Sequence, residues 1–326
     1  MKYKKYDSIF TYDDFIFENN VLIPQSLSIN HYNEFKHDKN YLKSFIKKKP
    51  DREEKELENI YLFIFNRGKQ SGGNYFHFHF HYLQKLIGYF ELNDIKIGIP
   101  LNMLSFQSFI LKKLIPEENI IYLDIYKYNY KINNCYVGDY ESSFILPDEL
   151  LDKFRQISNE YVQKHNLAAF IKNNSQENNV FIYRKNESKN AGQNRYIINN
   201  EDFDSLLECY NFKKLTFDDL SLEDKIIKLI FFNPKIVLIE IGSGLTNLLF
   251  IPIDILKNIK FIILDQNNWF LKKSRIYDII KKLNLKHCII TNKNVVDNHS
   301  DLQNNPFIVE IDLLDHKINQ LINDDA

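Results

Sequence analysis

The stretch KIVLIEIGSGLTNLLFIP, residues 235–252, decides the fold class. Its β-branched apolar start is typical of a strand that is buried on both faces, and LTNLLF resumes with helical character. Between the two lie Gly242 and Gly244, two of only nine glycines in the chain. A buried strand, a tight turn and a helix in this order indicate an α/β fold.

The same turn predicts a binding site for an anion. Backbone N–H groups point outward at the start of a helix, the helix dipole favours negative charge, and glycine permits close approach of a phosphate. Ser243 and Thr246 add hydroxyl groups. The motif is not GxGxxG, because Asn247 takes the third glycine position, and it is not a P-loop. A plain strand–helix turn is the alternative interpretation.

Strands and helices alternate on both sides of this turn. After the polar break NNSQENN (173–179), the pattern predicts strands at 180–184, 212–217, 235–240, 259–264 and 286–291, with helices at 201–209, 222–232, 245–250 and 269–284. Before it, we expect strands at 59–66, 95–100 and 119–125, helices at 104–114 and from Pro147, and short strands and loops over 1–55. We therefore expect two Rossmann-like, doubly wound domains, 1–170 and 171–310, and a closing C-terminal helix at 311–326. Ligands of such sheets bind at the carboxyl ends of the strands.

Composition limits the class of protein. The 326 residues hold 42 Lys and Arg against 43 Asp and Glu, a formal net charge of −1, which argues against a nucleic-acid binder. Three widely spaced cysteines imply no disulfide framework and fit a reducing compartment. No signal peptide and no run of about 18 apolar residues is evident. We expect a cytoplasmic, non-secreted protein without an integral membrane segment.

Histidines cluster in GGNYFHFHFHYLQKL, residues 72–86. On a strand, His77, His79 and His81 would share one face and suit a metal ion. On a helix, His77 and His81 share a face and His79 points elsewhere. The apolar pattern continues to Phe90, and this length favours the helix. Packing, metal binding and catalysis all remain open for these side chains.

Two arginines lie in VFIYRKNESKNAGQNRYIINNEDF, residues 180–203. Arg184 ends a predicted strand and Arg195 precedes a predicted helix. Arginines beside the end of a strand can clamp a diphosphate through charge-assisted hydrogen bonds, although solvated loop charges are the alternative. Asp265, Gln266 and Asn267 follow the next strand and are further candidate contacts of a nucleotide.

Several short motifs occur together in a fixed order. NYFHF contains Asn74 and His77, Arg184 follows a strand, and RYIIN contains Arg195 and Asn199. The elements LSLED and GSGLTNLLFIP come next. In this order and at these separations, over roughly residues 60–265, the motifs resemble those of glycosyltransferase family 61.

This resemblance implies a GT-B architecture, in which two Rossmann-like domains face a cleft and the C-terminal one holds the donor. It further implies a hexosyl- or pentosyltransferase of polysaccharide biosynthesis that inverts the anomeric carbon without an obligatory metal or other cofactor. The implied partners are a nucleotide-sugar donor, with a UDP-sugar favoured, and a glycan or glycoconjugate acceptor. The residues expected to bind the donor are Asn74, Arg184, Arg195, Asn199, Gly242, Ser243, Gly244, Thr246 and Asn247.

Three features depart from the family pattern. Ile241 replaces the usual His before the signature glycine, His81 stands where the family has Asp or Glu, and the loop between Arg184 and Arg195 is longer. We expect His81 to be the catalytic base, supported by His77, because imidazole titrates near neutral pH. Two alternatives stay open. One is a metal-dependent hydrolase or cupin-like enzyme that uses the three clustered histidines, and the other is a non-catalytic sugar-nucleotide-binding module.

Overall fold

The computed structural model of the chain describes residues 2–19, 21–26, 49–65, 75, 78–139, 146–167, 178–183, 196–217, 220–266, 276–294 and 306–323. It has a mixed α/β fold in which parallel strands alternate with helices. The chain divides into two compact units, Met1–Lys153 and Phe154–Ala326. The boundary expected after residue 170 therefore lies inside the second unit.

The first unit is built on an eight-stranded sheet in the order β3-β2-β1-β8-β5-β6-β7, with β4 also paired to β8. Strands β4 and β5 run parallel to β8, and β5, β6 and β7 are parallel to one another. The strands are β1 (Tyr3–Tyr12), β2 (Phe15–Glu18), β3 (Val21–Leu22), β4 (Glu54–Glu58), β5 (Ile60–Leu62), β6 (Lys96–Pro100), β7 (Ile120–Leu123) and β8 (Asn129–Gly138).

One edge of this sheet is antiparallel, because β1 pairs antiparallel with both β2 and β8. Asp13 and Asp14, with φ of 49° and 69°, form the two-residue connection between Tyr12 and Phe15. Two consecutive positive φ angles are typical of a type I′ hairpin turn. The sheet of the first unit is therefore mixed, with an antiparallel edge beside its parallel strands. The expectation of short strands and loops over residues 1–55 is incomplete, because β1 in this segment has ten residues.

Helices connect the parallel strands of the first unit. Between β5 and β6 the chain forms a π-helix (Phe78–Tyr82), a 3-10 turn (Leu83–Lys85) and α1 (Leu86–Phe90). For residues 78–90, this run confirms the helical interpretation of the histidine-containing stretch. Helix α2 (Ser105–Leu114) joins β6 to β7, and α3 (Asp148–Lys164) follows β8. The core of the sheet includes Ile9, Ile60, Leu62, Ile132 and Val137, all buried.

The second unit contains a six-stranded sheet in the order β10-β9-β11-β12-β13-β14. The first five strands are parallel and β14 is antiparallel to β13. All five side chains of β11 are buried, as expected for a central strand covered on both faces. The strands are β9 (Asn179–Tyr183), β10 (Phe212–Thr216), β11 (Ile236–Glu240), β12 (Lys260–Gln266), β13 (Lys286–Asn294) and β14 (Phe307–Ile308).

The helices of this unit form two layers. Helices α4 and α8 contact each other, whereas α5 and α7 both contact the 3-10 helix that follows β11. Buried side chains under α4 and α8, among them Phe203, Leu207, Leu314 and Ile318, form one core cluster with β11, β12 and β13. The helices are α4 (Asn200–Cys209), α5 (Leu222–Phe232), the 3-10 helix (Ser243–Phe250), α6 (Ile253–Leu256), α7 (Ile276–Lys282) and α8 (Ile311–Asn323).

Residues within and beside helix α5 determine where this helix begins and ends. The hydroxyl of Ser221 accepts a hydrogen bond from the N–H of Asp224 at 3.0 Å, which caps the first turn. Leu222, Ile226, Leu229 and Ile230 are buried at helical spacing. The helix then ends at Asn233, whose left-handed conformation is typical of a C-terminal cap. The predicted bounds, 222–232, are confirmed. In the described part of the chain, no helix is long and apolar enough to cross a membrane.

Candidate functional site

The strand order of the second unit creates a topological switch point between β9 and β11. From β9 the chain moves outward to β10, and from β11 it moves the opposite way through β12 to β13. The crossovers therefore leave these two neighbouring strands in opposite directions, and ligands of open α/β sheets bind in the crevice at such a point. The carboxyl end of β11 leads into the glycine turn, and Arg184 follows the end of β9 in the sequence.

The glycine turn is shaped by a few backbone contacts. Ile241 donates its N–H to the carbonyl of Leu264 at 3.1 Å, which keeps the start of the turn against β12. Gly242 has φ 157° and ψ −166°, a region that is essentially restricted to glycine. The amide of Asn247 donates to the carbonyl of Gly244 at 2.9 Å and holds the first turn of the 3-10 helix. Asn247 thus has a structural role within the loop.

Two features leave the loop suited to a ligand. A Cβ added to Gly244 would contact nothing within 4 Å, so the backbone there borders open space. Thr246 is fully buried, and its hydroxyl has no hydrogen-bond partner among the described residues. Unsatisfied buried polar groups are rare and call for an explanation such as an absent ligand, ion or water. The first N–H groups of a helix also lack acceptors within it. The first part of the 3-10 helix therefore offers backbone donors in the same short segment as the Thr246 hydroxyl.

Asn199, expected to contact the donor, has its amide engaged inside the unit. Its Nδ2 donates to the carbonyl of Val309 at 2.9 Å, and its Oδ1 accepts from the N–H of Val309 at 2.9 Å. The side chain therefore ties the start of α4 to the segment before α8. Three other residues expected to bind the donor, Asn74, Arg184 and Arg195, lie outside the described residues. The loop between the two arginines lies outside them as well.

The π-helix carries two of the three clustered histidines. His79 and His81 are 0% and 1% exposed, and His77 lies outside the described residues. Nδ1 of His79 lies 2.6 Å from the carbonyl of Tyr75; since a carbonyl only accepts, Nδ1 carries the proton. The His79 ring packs on Tyr75, with 4.3 Å between ring centroids, and stacks near Phe106. His79 therefore has a packing role, which is one of the three roles left open for the clustered histidines. π-Helical turns are rare in proteins, and those that do occur are often found at functional sites. His81 therefore remains a candidate for catalysis.

The helical run that carries His81 is anchored to the sheet at Tyr61. The buried hydroxyl of Tyr61 donates to the carbonyl of Lys85, and a Cβ added to Gly138 would collide with both groups. Nζ of Lys85 donates to the carbonyl of Gln25 and lies 4.7 Å from the centroid of the Tyr82 ring. Burial lowers the pKa of Lys85 well below its usual value, and Asp139 opposes this effect only in part. These contacts fix the position of the run on β8.

Buried polar residues also line the carboxyl ends of the central strands of the second unit. Glu240 is 9% exposed, and Asp265 and Asn292 are 0% exposed. The amide of Asn292 donates to the backbone carbonyl of Asp265 at 3.1 Å. Sequence reasoning missed Glu240 and Asn292. The available signal was a single acid in the otherwise apolar run IVLIE, and an amide directly after the predicted strand 286–291.

Among the described residues, no group of three or more His, Cys, Asp or Glu side chains could hold a metal ion. His77 lies outside those residues, so a site of three histidines stays a prediction. Comparison with known proteins adds no relative: no protein-family model matches the chain, and no curated protein matches it significantly.

Proposed function

We propose that this protein is a glycosyltransferase that moves a hexosyl or pentosyl group from a nucleotide-sugar donor to a hydroxyl of a glycan or glycoconjugate. The observation that carries the proposal is the glycine turn at the switch point, with the buried hydroxyl of Thr246 that has no hydrogen-bond partner among the described residues. The order of the sequence motifs supports the choice of glycosyl transfer among the reactions of nucleotides. The proposal includes the GT-B architecture and inversion without an obligatory metal that the motifs imply.

The leaving diphosphate gains negative charge as its bond to the anomeric carbon breaks. Fixed donors aimed at that charge stabilise the transition state, and in the proposed site these are the N–H groups of the glycine turn, Thr246, Arg184 and Arg195. Removal of one such donor typically slows an enzyme about 10²- to 10³-fold. The two arginines are proposed for this role from their sequence positions, because Arg184 directly follows β9 and Arg195 precedes α4.

The acceptor hydroxyl needs a base as it attacks the anomeric carbon. His81 is proposed to take the hydroxyl proton on a ring nitrogen while the new carbon–oxygen bond forms and the diphosphate departs, with His77 in support. A positioned base contributes on the order of 10²- to 10⁴-fold to the rate. The π-helical turn and its anchor at Tyr61 support this role, because a base must be held in one orientation.

A thermal-shift panel tests the proposal. UDP, GDP, CMP and dTDP and their common sugar conjugates are added to the protein, with and without a chelator. We expect one nucleotide to raise the melting temperature in both conditions. No shift with any nucleotide, together with destabilisation by the chelator, would instead favour the metal-dependent hydrolase.

A non-catalytic sugar-nucleotide-binding module is the second candidate, and one observation favours it. Ile241, which takes the place of the family His, is 2% exposed and belongs to the apolar interior. Such a module would bind the donor but neither transfer nor hydrolyse the sugar. Chromatographic measurement of free nucleotide released from the bound donor, with and without acceptor glycans, separates the two candidates.

A further inference from the structure

The loop between β6 and α2 exposes two leucines at the carboxyl end of a parallel strand. Strand β6 ends at Pro100, and ligands of α/β sheets bind outside the carboxyl ends of the parallel strands. Leu101 and Leu104, which follow directly, are 48% and 47% exposed. Single exposed leucines are ordinary on a protein surface, whereas two in one short loop at this edge of the sheet call for an explanation.

The composition of this part of the chain indicates what the leucines contact. Residues 97–111, IGIPLNMLSFQSFIL, contain no Asp, Glu, Lys, Arg or His, although 26% of the chain is charged. Segments that attach a protein to an anionic membrane carry Lys and Arg, so the composition argues against a membrane surface. It suits a ligand group that is itself uncharged and apolar, because such a group gains free energy when it leaves water.

Backbone hydrogen bonds hold the two leucines in position. The N–H of Leu101 donates to the carbonyl of Leu123, at the end of β7, over 2.8 Å. The N–H of Met103 donates to the carbonyl of Leu101 over 3.2 Å. The N–H of Leu104 donates to Oε1 of the buried Gln107 over 2.8 Å. A binding surface that is ordered in advance loses less conformational entropy when its ligand arrives.

Phe106, in the first turn of α2, joins this loop to the helical run that carries His81. The centroid of its ring lies 5.1 Å from that of Tyr75 and 5.6 Å from that of Phe78, at the start of the π-helix. A molecule that lies on the leucines therefore lies beside the run that carries the proposed base. In glycosyl transfer, the molecule that approaches the base is the acceptor.

We infer that Leu101 and Leu104 bind a hydrocarbon group of the acceptor, so that the acceptor is a glycoside with an apolar aglycone. The inference rests on the proposed function and deepens it, because it names the class of acceptor. A glycan without such a group lacks this contact. Each methylene group that moves from water onto the leucines should tighten binding by up to about four-fold.

Calorimetry with matched glycosides tests the inference. Methyl and octyl glycosides of common hexoses and pentoses are added to the full chain, with and without the nucleotide that gives the thermal shift, at concentrations too low for micelles. For at least one sugar, the octyl form should bind roughly 10- to 100-fold more tightly than the methyl form. Leu101→Ser and Leu104→Ser, combined in one variant, should reduce this ratio at least several-fold, whereas Leu101→Met with Leu104→Met should keep it.

Leu313 in α8 provides the matched control. It is a leucine of similar exposure, 43%, in the second unit, and Leu313→Ser should keep the wild-type ratio. Equal binding of octyl and methyl forms by the wild-type chain, or no binding of either, would overturn the inference. An unchanged ratio in the folded double serine variant would overturn it too.

Two further outcomes assign the leucines to another partner and would also overturn the inference. One is a wild-type dimer in analytical ultracentrifugation that the double serine variant converts to a monomer. The other is sedimentation of the wild type, but not of this variant, with phosphatidylcholine vesicles. If no nucleotide gives a thermal shift, the proposed function itself fails. A nucleotide shift without a preference for the octyl form leaves that function standing and removes only the aglycone site.

Discussion

Replacement of Thr246 by valine should stabilise the protein and at the same time weaken its response to a nucleotide. The hydroxyl of Thr246 is fully buried and has no partner among the described residues. A buried polar group without a partner costs about 1–3 kcal/mol, and valine replaces the hydroxyl by a methyl group of similar size. We therefore expect Thr246→Val to unfold at a temperature roughly 2–12 °C higher, for a unit of this size.

The ligand response should change in the opposite direction. If the Thr246 hydroxyl contacts the diphosphate, its loss should weaken binding at least about 10-fold, as for other hydrogen bonds to charged groups. At a nucleotide concentration about 100 times the wild-type dissociation constant, ligand stabilisation should fall from about 2.7 to about 1.4 kcal/mol or less. Scanning calorimetry with and without the nucleotide measures both changes in one experiment.

Thr11 offers a matched control. It is also fully buried, but its hydroxyl donates to the carbonyl of Phe15 at 2.8 Å. Thr11→Val should therefore destabilise the protein by about 1–3 kcal/mol and leave the nucleotide response unchanged. A lower melting temperature for Thr246→Val would refute the reasoning about its buried hydroxyl. A higher one with an unchanged nucleotide response would remove the hydroxyl from the binding site.

Three further predictions concern the first unit. His81→Ala, and likewise His77→Ala, should lower turnover about 10²- to 10⁴-fold with donor affinity retained; full turnover in both variants would contradict the assignment. Gly138→Ala should destabilise the protein by about 1–3 kcal/mol in urea unfolding, because its Cβ would collide with the Tyr61 hydroxyl and the Lys85 carbonyl. Lys85→Met should remove a pH dependence of the free energy of unfolding. Between the lowered pKa of Lys85 and its usual 10.5, the unfolded chain binds one more proton, so wild-type stability should rise with pH by up to about 1.4 kcal/mol per unit. A stability difference between Lys85→Met and wild type that stays constant from about pH 7 to 9.5 would show that the amine does not titrate as expected.

Local signals in the sequence predict most elements of the second unit. Helix α5 has an N-terminal cap at Ser221, apolar residues at helical spacing and an asparagine at its end, so its bounds follow from neighbouring residues alone. The same holds for β11, whose apolar run requires burial on both faces. The expected helix at 245–250 is instead a 3-10 helix from Ser243 to Phe250.

Other features depend on residues that are distant in sequence. The partner of Asn199 is Val309, 110 residues away, so its structural role cannot be inferred from the motif RYIIN. Strand β1 carries many polar side chains and is formed by pairing with β8, which lies more than 100 residues further on. The lack of a hydrogen-bond partner for the Thr246 hydroxyl among the described residues likewise depends on its surroundings in the fold. Its position after the two glycines, which makes it a candidate for binding, is visible in the sequence.

The bond between Asn199 and Val309 has a consequence for the chain as it leaves the ribosome. Strand β9 and helix α4 are synthesised long before β14 and α8, yet all four contribute side chains to one core. Until residues 307–323 are made, Phe203 and Leu207 lack the neighbours that cover them, and the start of α4 lacks its tie. Exposed apolar surface of this kind promotes aggregation of nascent chains. Termination of synthesis before Phe307 should therefore yield a product that chaperones retain or proteases remove.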